Sequence, residues 1–311
     1  MICLIFFICL KLSIYLFFCL SNIRYYITDF IISYYMDFVT GEKIQLLCDV
    51  FLGFSNDFDS NPFINEKMTH QVFVDFRFFD EYDNPKTLFC FGHRMDDLSL
   101  HIHKFKNPFI LISHNSDYNI LDCQSIRRII ECPNLIKLYG QNVNFNHEKI
   151  KFLPIGIANR MWEHGNPRIF EDLVFKRKSR KVYMSFKIET NKSARESCHN
   201  ILKNKVPFLP FMEPKENISK LQKYEFSICP EGNGLDTHRL WESLFVKTVP
   251  ILLKSRFIEK IKKKTGLPMV LLNSWAEFDV DKLPDYESFD FNPCSTYLSM
   301  EYYTKLLQKF I

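Results

Sequence analysis

A chain of 311 residues, 47% of them hydrophobic, is long and apolar enough to bury the cores of two domains. Its 40 basic and 36 acidic residues leave a formal charge of +4, too near balance to make nucleic acid the main partner. The 10 cysteines include no CxxC pair, which excludes a paired zinc knuckle, and a chain of this length does not need disulfide staples.

In the opening stretch MICLIFFICLKLSIYLFFCL only Lys11 and Ser13 are polar, and the run is about as long as a bilayer-spanning helix requires. No basic leader and no small-residue cleavage site accompany it. Residues 1–35 admit two readings: a membrane anchor, with association through residues 1–22, or an upstream extension of a chain that starts at Met36. From Lys43 onward, apolar runs alternate with polar turns. KIQLLCDV and QVFVDFRFF read as strands, Asn84-Pro85 turns the chain, and TLFCFG comes next as a third. NPFILISHNSD is a strand ending in polar residues. LDCQSIRRIIECPNL has helical spacing at Ile126, Ile129 and Ile130, with Pro133 closing it. LIKLYGQN is the next strand, and IKFLPIGIANRMWEHGNPRIF joins an apolar run to a polar loop.

After a charged linker (171–180) the second series begins with the strand KVYMSF and the helix NKSARESCHNILKN. VPFLPF reads as a strand, ISKLQKY as a short helix, EFSICP as a strand, THRLWESLFVK as a helix and TVPILL as a strand. FIEKIKKKTG is helical and stops at Gly266, the position of a left-handed cap. LPMVLL is the last strand, and STYLSMEYYTKLLQKF a closing helix over 291–311. Strand–helix alternation at this spacing predicts an α/β chain with parallel sheets, as two Rossmann-like domains facing each other, over 36–170 and 171–290.

One stretch carries most of the chemistry: FSICPEGNGLDTHRLWESLFVKTVPILL (226–253). Parallel sheets bind ligands beyond the carboxyl ends of their strands, where loops enter helix N-termini. Gly232 and Gly234, with Asn233 between them, permit tight turns and close backbone approach. Asp236 or Thr237 can cap the helix, and its first amides suit a phosphate. Arg239 adds a forked donor for two phosphoryl oxygens. Glu242, three residues on, can accept from a ribose diol, and His238 can touch phosphate or sugar. The plainer alternative makes Arg239 and Glu242 a helix ion pair and Asp236 only a cap. The absence of GxGxxG and GxxxxGK[ST] argues against a dinucleotide fold and a P-loop.

This stretch resembles the donor-binding signature of exostosin-like (GT47-type) glycosyltransferases, particularly the versions in large-DNA and algal viruses. LISHNSD (111–117) and LPIGIANRMWEHGN (153–166) resemble the same family, so the likeness spans about residues 70–285. It implies a GT-B architecture, two Rossmann-like domains around a central cleft. It also implies inverting transfer of a hexosyl or pentosyl group from a nucleotide-sugar, UDP- or GDP-linked, to a glycan or glycoprotein acceptor. No metal and no further cofactor are implied. By position, Arg239 would hold the donor diphosphate, Glu242 the ribose, and Gly232, Asn233 and Gly234 the loop around the donor. Asn191 and Arg195 would make a second phosphate or sugar contact; without the likeness they are a solvated helix face. A viral chain started near Met36 would work in the host cytoplasm, and one keeping its first segment would be membrane-anchored. A noncatalytic carbohydrate- or nucleotide-binding protein of the same fold is the alternative.

Displacement at an anomeric carbon needs a base on the acceptor hydroxyl and a stabilised leaving diphosphate. SHNSD offers His114 and Asp117 as bases and Asn115 to orient a hydroxyl. WEHGN offers Trp162 as a stacking platform, His164 as another base and Asn166 as an acceptor contact. Asp117 is the first choice for base and His164 the second; the plainer reading has Trp162 filling an interface and Asp117 capping a helix. Two further features stay outside this scheme. Cys90, His93, His101 and His103 could in principle ligate zinc but lack knuckle spacing, and the DxD strings at 57–59 and 279–281 lie away from the crevice. The basic runs at 175–181 and 259–264 read as a solvated turn and a helix end, or as contacts for a phosphate-rich ligand or a membrane surface.

Overall fold

The computed structural model describes residues 38–59, 71–81, 85–170, 173 and 177–309. The apolar segment 1–35 and half of the charged linker lie outside the described residues. Among those described, no helix is long and apolar enough to cross a membrane.

Six parallel strands form the first sheet: β1 (Val50–Gly53), β2 (Val72–Asp75), β3 (Thr87–Phe91), β4 (Phe109–His114), β5 (Leu135–Gly140) and β6 (Ile150–Phe152), in the order β2-β1-β3-β4-β5-β6. Four more make a second parallel sheet, β10-β9-β8-β7, from β7 (Arg180–Tyr183), β8 (Tyr224–Ile228), β9 (Val249–Leu253) and β10 (Val270–Leu272). The helices are α1 (Gly41–Gln45), α2 (Ser55–Asp59), α3 (Met95–His101), α4 (Gln124–Glu131), α5 (Lys192–Leu202), α6 (Pro214–Leu221), α7 (His238–Phe245), α8 (Arg256–Thr265), α9 (Asn292–Tyr297) and α10 (Met300–Gln308). The expected mixed α/β class with parallel sheets is therefore observed.

Both faces of the first sheet are buried, which explains its unbroken apolar strands. Val50, Leu52, Phe109 and Leu111 point into one core, beside Ile126, Ile129 and Ile130 of α4. Their neighbours Phe51, Ile110 and Ile112 point into the other, as the two-residue period of a strand requires. The second sheet packs Val182, Phe226, Val249 and Ile251 into a core shared with Trp275 and Phe278.

Three expected elements differ. KIQLLCDV is not a strand: Thr40 caps α1, its hydroxyl accepting from the Lys43 amide at 3.2 Å, and β1 begins only at Val50. A local cap thus outweighs the β-propensity of the apolar run. VPFLPF forms no strand, since Pro207 and Pro210 lack the N–H a ladder needs. The closing helix is two helices. Cys294 of α9 joins the core containing Trp241, whereas Met300, Tyr303 and Leu307 of α10 return to the first sheet's core. The Val39 amide donates to the Leu298 carbonyl at 3.0 Å, tying the start of the described chain to its end. Gly266 caps α8 at φ 69° as expected.

Gly156 positions the loop after β6. Its φ is +68°, and a Cβ there would lie 2.2 Å from the Val39 carbonyl oxygen. Gly156→Ala is expected to destabilise the protein by more than about 1 kcal/mol, because strain and a backbone clash coincide. A denaturant melt checks this, with an unchanged midpoint contradicting it.

Candidate active site

The site forms where the carboxyl ends of β4, β5 and β8 come together. Loop 229–237, after β8, sets one wall. Asp236 and Asn142 hold it. The Asp236 amide donates to Asn142 Oδ1 at 2.8 Å, and its carboxylate accepts from the Ile155 amide at 2.7 Å and from Trp241 Nε1 at 2.8 Å. Asn142 takes a left-handed φ of 52° to do this. Gly234 is needed because a Cβ would sit 2.6 Å from Asn142 Nδ2. Asp236 is buried, and desolvation lifts its carboxyl to about 7 against the donors that favour its charge. It fastens loop 229–237 to the β6 loop instead of capping α7, and it also lines the cavity beside that helix.

Neither expected cap operates at α7. Thr237 occupies the N-cap position, but its side chain makes no capping bond and its buried hydroxyl has no hydrogen-bond partner. Thr237, His238 and Arg239 at the start of α7 line a cavity of about 270 Å³ that also touches Gly232, Asn233, Gly234, Arg195 and Glu242. That is the wall on which an anion is best received.

Arg239 and Glu242 do form the ion pair that spacing allows, at 3.0 Å. Arg239 also donates to the Ser185 carbonyl at 2.5 Å and lies over the Tyr183 ring. The pair is not merely a surface bridge, because the side chains are only 18% and 7% exposed and both line the same cavity. Asn191 and Arg195 act on the loop. Asn191 caps α5 through the Ala194 amide and donates to the Gly232 carbonyl at 2.7 Å. Arg195 donates to the carbonyls of Glu231 and Lys187 at 3.0 and 2.8 Å. Both therefore shape the glycine loop, and Arg195 in addition reaches the cavity wall.

A second cavity, about 440 Å³, lies on the side of the first sheet. Asn115, Ser116, Asp117, Gln141, Asn159, Met161 and Trp162 line much of it, and Asp57, paired with Arg94 at 2.9 Å, reaches it too, which corrects the placement of the first DxD string away from the crevice. Trp162 is 54% exposed, so it presents a ring face instead of filling an interface. Gln141 is buried with its Oε1 unpartnered. Asn115, at φ 55°, spends its amide on Gln45 and Asn159, both at 3.2 Å. Glu42 of α1 steadies the Trp162 loop, accepting from Arg160 Nε at 3.1 Å while its own amide donates to Asn159 Oδ1 at 2.9 Å.

Two expected contacts fail on geometry. His114 is 1% exposed and does not line the cavity. Its Nε2 donates to the Pro154 carbonyl at 2.9 Å, its Nδ1 lies 3.2 Å from Asn115 Oδ1, and burial lowers its pKa. It is a structural histidine, held out of both cavities, and is not placed to act as a base. Asn166 accepts from the Arg168 amide at 3.0 Å and touches neither cavity, so it terminates a turn.

Asp117 and His164 both reach the cavity walls. Asp117 is exposed and lines both cavities. His164 lines the smaller cavity and a third one of about 670 Å³, walled by Phe186, Phe208, Phe211, Asn217, Arg239 and Glu242. His238 lies between them at the junction, its ring 5.9 Å from that of His164. Among the described residues no group of three or more His, Cys, Asp or Glu side chains could hold a metal, and Cys90, with its neighbours His93, His101 and His103, makes none. The chain matches no protein-family model and no curated protein. The shape and chemistry of these cavities are therefore the guide to function.

Proposed function

We propose that the protein is a glycosyltransferase of GT-B architecture, moving a sugar from a nucleotide-sugar donor to a glycan acceptor with inversion. One observation supports this above the rest: a cavity suited to an anion and a cavity suited to a sugar share the wall formed by Asp117, Ile155 and His238. A donor and an acceptor placed in them would meet there.

On this reading the diphosphate lies against the first amides of α7, the Thr237 hydroxyl and Arg239, where positive charge and preorganised donors favour its departure. Glu242 accepts from the ribose. The third cavity, walled by Phe186, Phe208 and Phe211, is large and apolar enough for a nucleobase. The acceptor stacks on Trp162, with Gln141 Oε1 free to accept from a hydroxyl. Leaving-group charge is met by Arg239 and the helix amides, so the scheme requires no metal ion.

Screening UDP- and GDP-sugars by thermal shift, then measuring nucleoside diphosphate release with and without glycan acceptors, tests the reading. Release that depends on acceptor, and that survives EDTA, is the expected result. Binding without turnover would instead favour a noncatalytic carbohydrate- or nucleotide-binding protein. Acceptor-independent release would indicate a hydrolase. Activity lost in EDTA and restored by manganese would contradict the metal-independent scheme.

A further inference from the structure

Three ionisable side chains meet at the junction of the two cavities, and their hydrogen bonds distinguish them. His238 Nδ1 lies 2.8 Å from the Gly156 carbonyl oxygen. A carbonyl can only accept, so Nδ1 carries the proton and Nε2 of the neutral ring is left with a lone pair. Among the described residues Nε2 has no hydrogen-bond partner, and the half-buried ring lines both cavities. His164 stands on an exposed turn and is held by ring contacts to Trp162 and His238. Asp117 is exposed at the rim. Only His238 therefore combines a fixed tautomer, a free acceptor nitrogen and a position reaching both cavities.

We propose, resting on the transferase reading, that His238 Nε2 takes the proton of the acceptor hydroxyl as that oxygen attacks the anomeric carbon. The acceptor O–H bond breaks and its electron pair forms the new C–O bond. The bond from the anomeric carbon to the diphosphate breaks, and the diphosphate leaves with that pair towards Arg239. The proton resides on Nε2 and passes to solvent when the product departs. Nδ1–H keeps its bond to the Gly156 carbonyl throughout, and Asp117 stabilises the transient imidazolium. Asp117 thus changes from base to the charge that supports one.

The surroundings hold His238 neutral in its resting state. Burial lowers its pKa most, and His164 lowers it too. The Gly156 carbonyl, Glu242 and Asp117 raise it, leaving it below 6.5 overall. Its place in the first turn of α7 acts in the lowering direction. A base of this kind is available at neutral pH and contributes about 10²–10⁴-fold in rate.

The test compares the wild type with His238→Asn, whose amide nitrogen takes the place of Nδ1 and can still donate to the Gly156 carbonyl. Acceptor-dependent release should fall at least about 100-fold, while UDP or GDP still raises the melting temperature as in the wild type. The wild-type rate should rise with pH through one deprotonation below 6.5 and then level, and this limb should vanish in the variant. Asp117→Asn should retain the limb, moved to lower pH. Nitrogen-15 spectra of the wild type should show Nδ1–H and an unprotonated Nε2, independently of whether any variant folds. Near-wild-type turnover in His238→Asn, or an Nε2–H tautomer, would overturn the proposal and leave the transferase reading standing. A wild type that turns over no UDP- or GDP-sugar with any acceptor would remove that reading, and the base with it.

Discussion

Replacing Arg239 by lysine is expected to lower acceptor-dependent transfer on the order of 10²–10³-fold, the usual loss for one preorganised donor to a developing anion. Lysine keeps a cation beside Glu242 but loses the forked geometry with which a guanidinium grips two phosphoryl oxygens. The lysine variant is the informative one because Arg239→Ala would leave the 7% exposed Glu242 side chain without its ion-pair partner. Stranding one member of a buried pair costs about 3–5 kcal/mol, and the resulting loss of fold would be mistaken for a loss of function. The effect should appear in affinity for the nucleoside diphosphate as well as in rate, since the departing group and the product share the site. Titration calorimetry with UDP and GDP reads the first and product release the second. Full activity in Arg239→Lys would contradict the assignment of the diphosphate.

Replacing Asp236 by alanine is expected to be the most damaging change to stability near the site. Its carboxylate satisfies the Ile155 amide and the Trp241 indole. Each buried donor left without a partner costs about 1–3 kcal/mol. The same residue should make stability depend on pH. Its folded carboxyl titrates at about 7 against 3.8 for the ordinary group, so the folded state binds the extra proton between those values. The contribution is full below 3.8 and is lost as pH rises through about 7. In chemical denaturation, Asp236→Asn should flatten this part of the pH dependence, and a wild type whose stability rises steadily from pH 4 to 7 would contradict the assignment.

Much of this site is legible in the sequence because the residues that make a helix N-terminus are contiguous. Gly232, Gly234, Thr237, Arg239 and Glu242 sit within one loop and the helix after it, and spacing alone brings them to one wall. The pairing of Arg239 with Glu242 is also available from their i,i+3 relation. His238 reads in the sequence only as a ligand contact, because the carbonyl that fixes its tautomer belongs to Gly156, 82 positions away. No local pattern announces such a bond. Asn142 and Gln141 carry no sequence signal for the same reason, being strand-end residues whose importance appears only when the second sheet arrives opposite them. His114 misleads in the other direction. A polar triplet at a strand end resembles a site, but β4 is central to its sheet and buries its last residue among the loops that cover it. The fold is easier to read, since unbroken apolar strands separated by helices admit few arrangements other than parallel sheets. At KIQLLCDV and VPFLPF, where the sequence suggests strands that do not form, apolar composition is outweighed by a single cap or by prolines.

The transferase reading is tested most directly by a crystal structure of the protein with a nucleoside diphosphate and a glycan acceptor. The diphosphate is expected within hydrogen-bonding distance of Arg239 and the first amides of α7, the nucleobase towards Phe186 and Phe208, and an acceptor hydroxyl beside His238 Nε2. A diphosphate bound away from Arg239, or an acceptor seated far from the wall formed by Asp117 and His238, would contradict it.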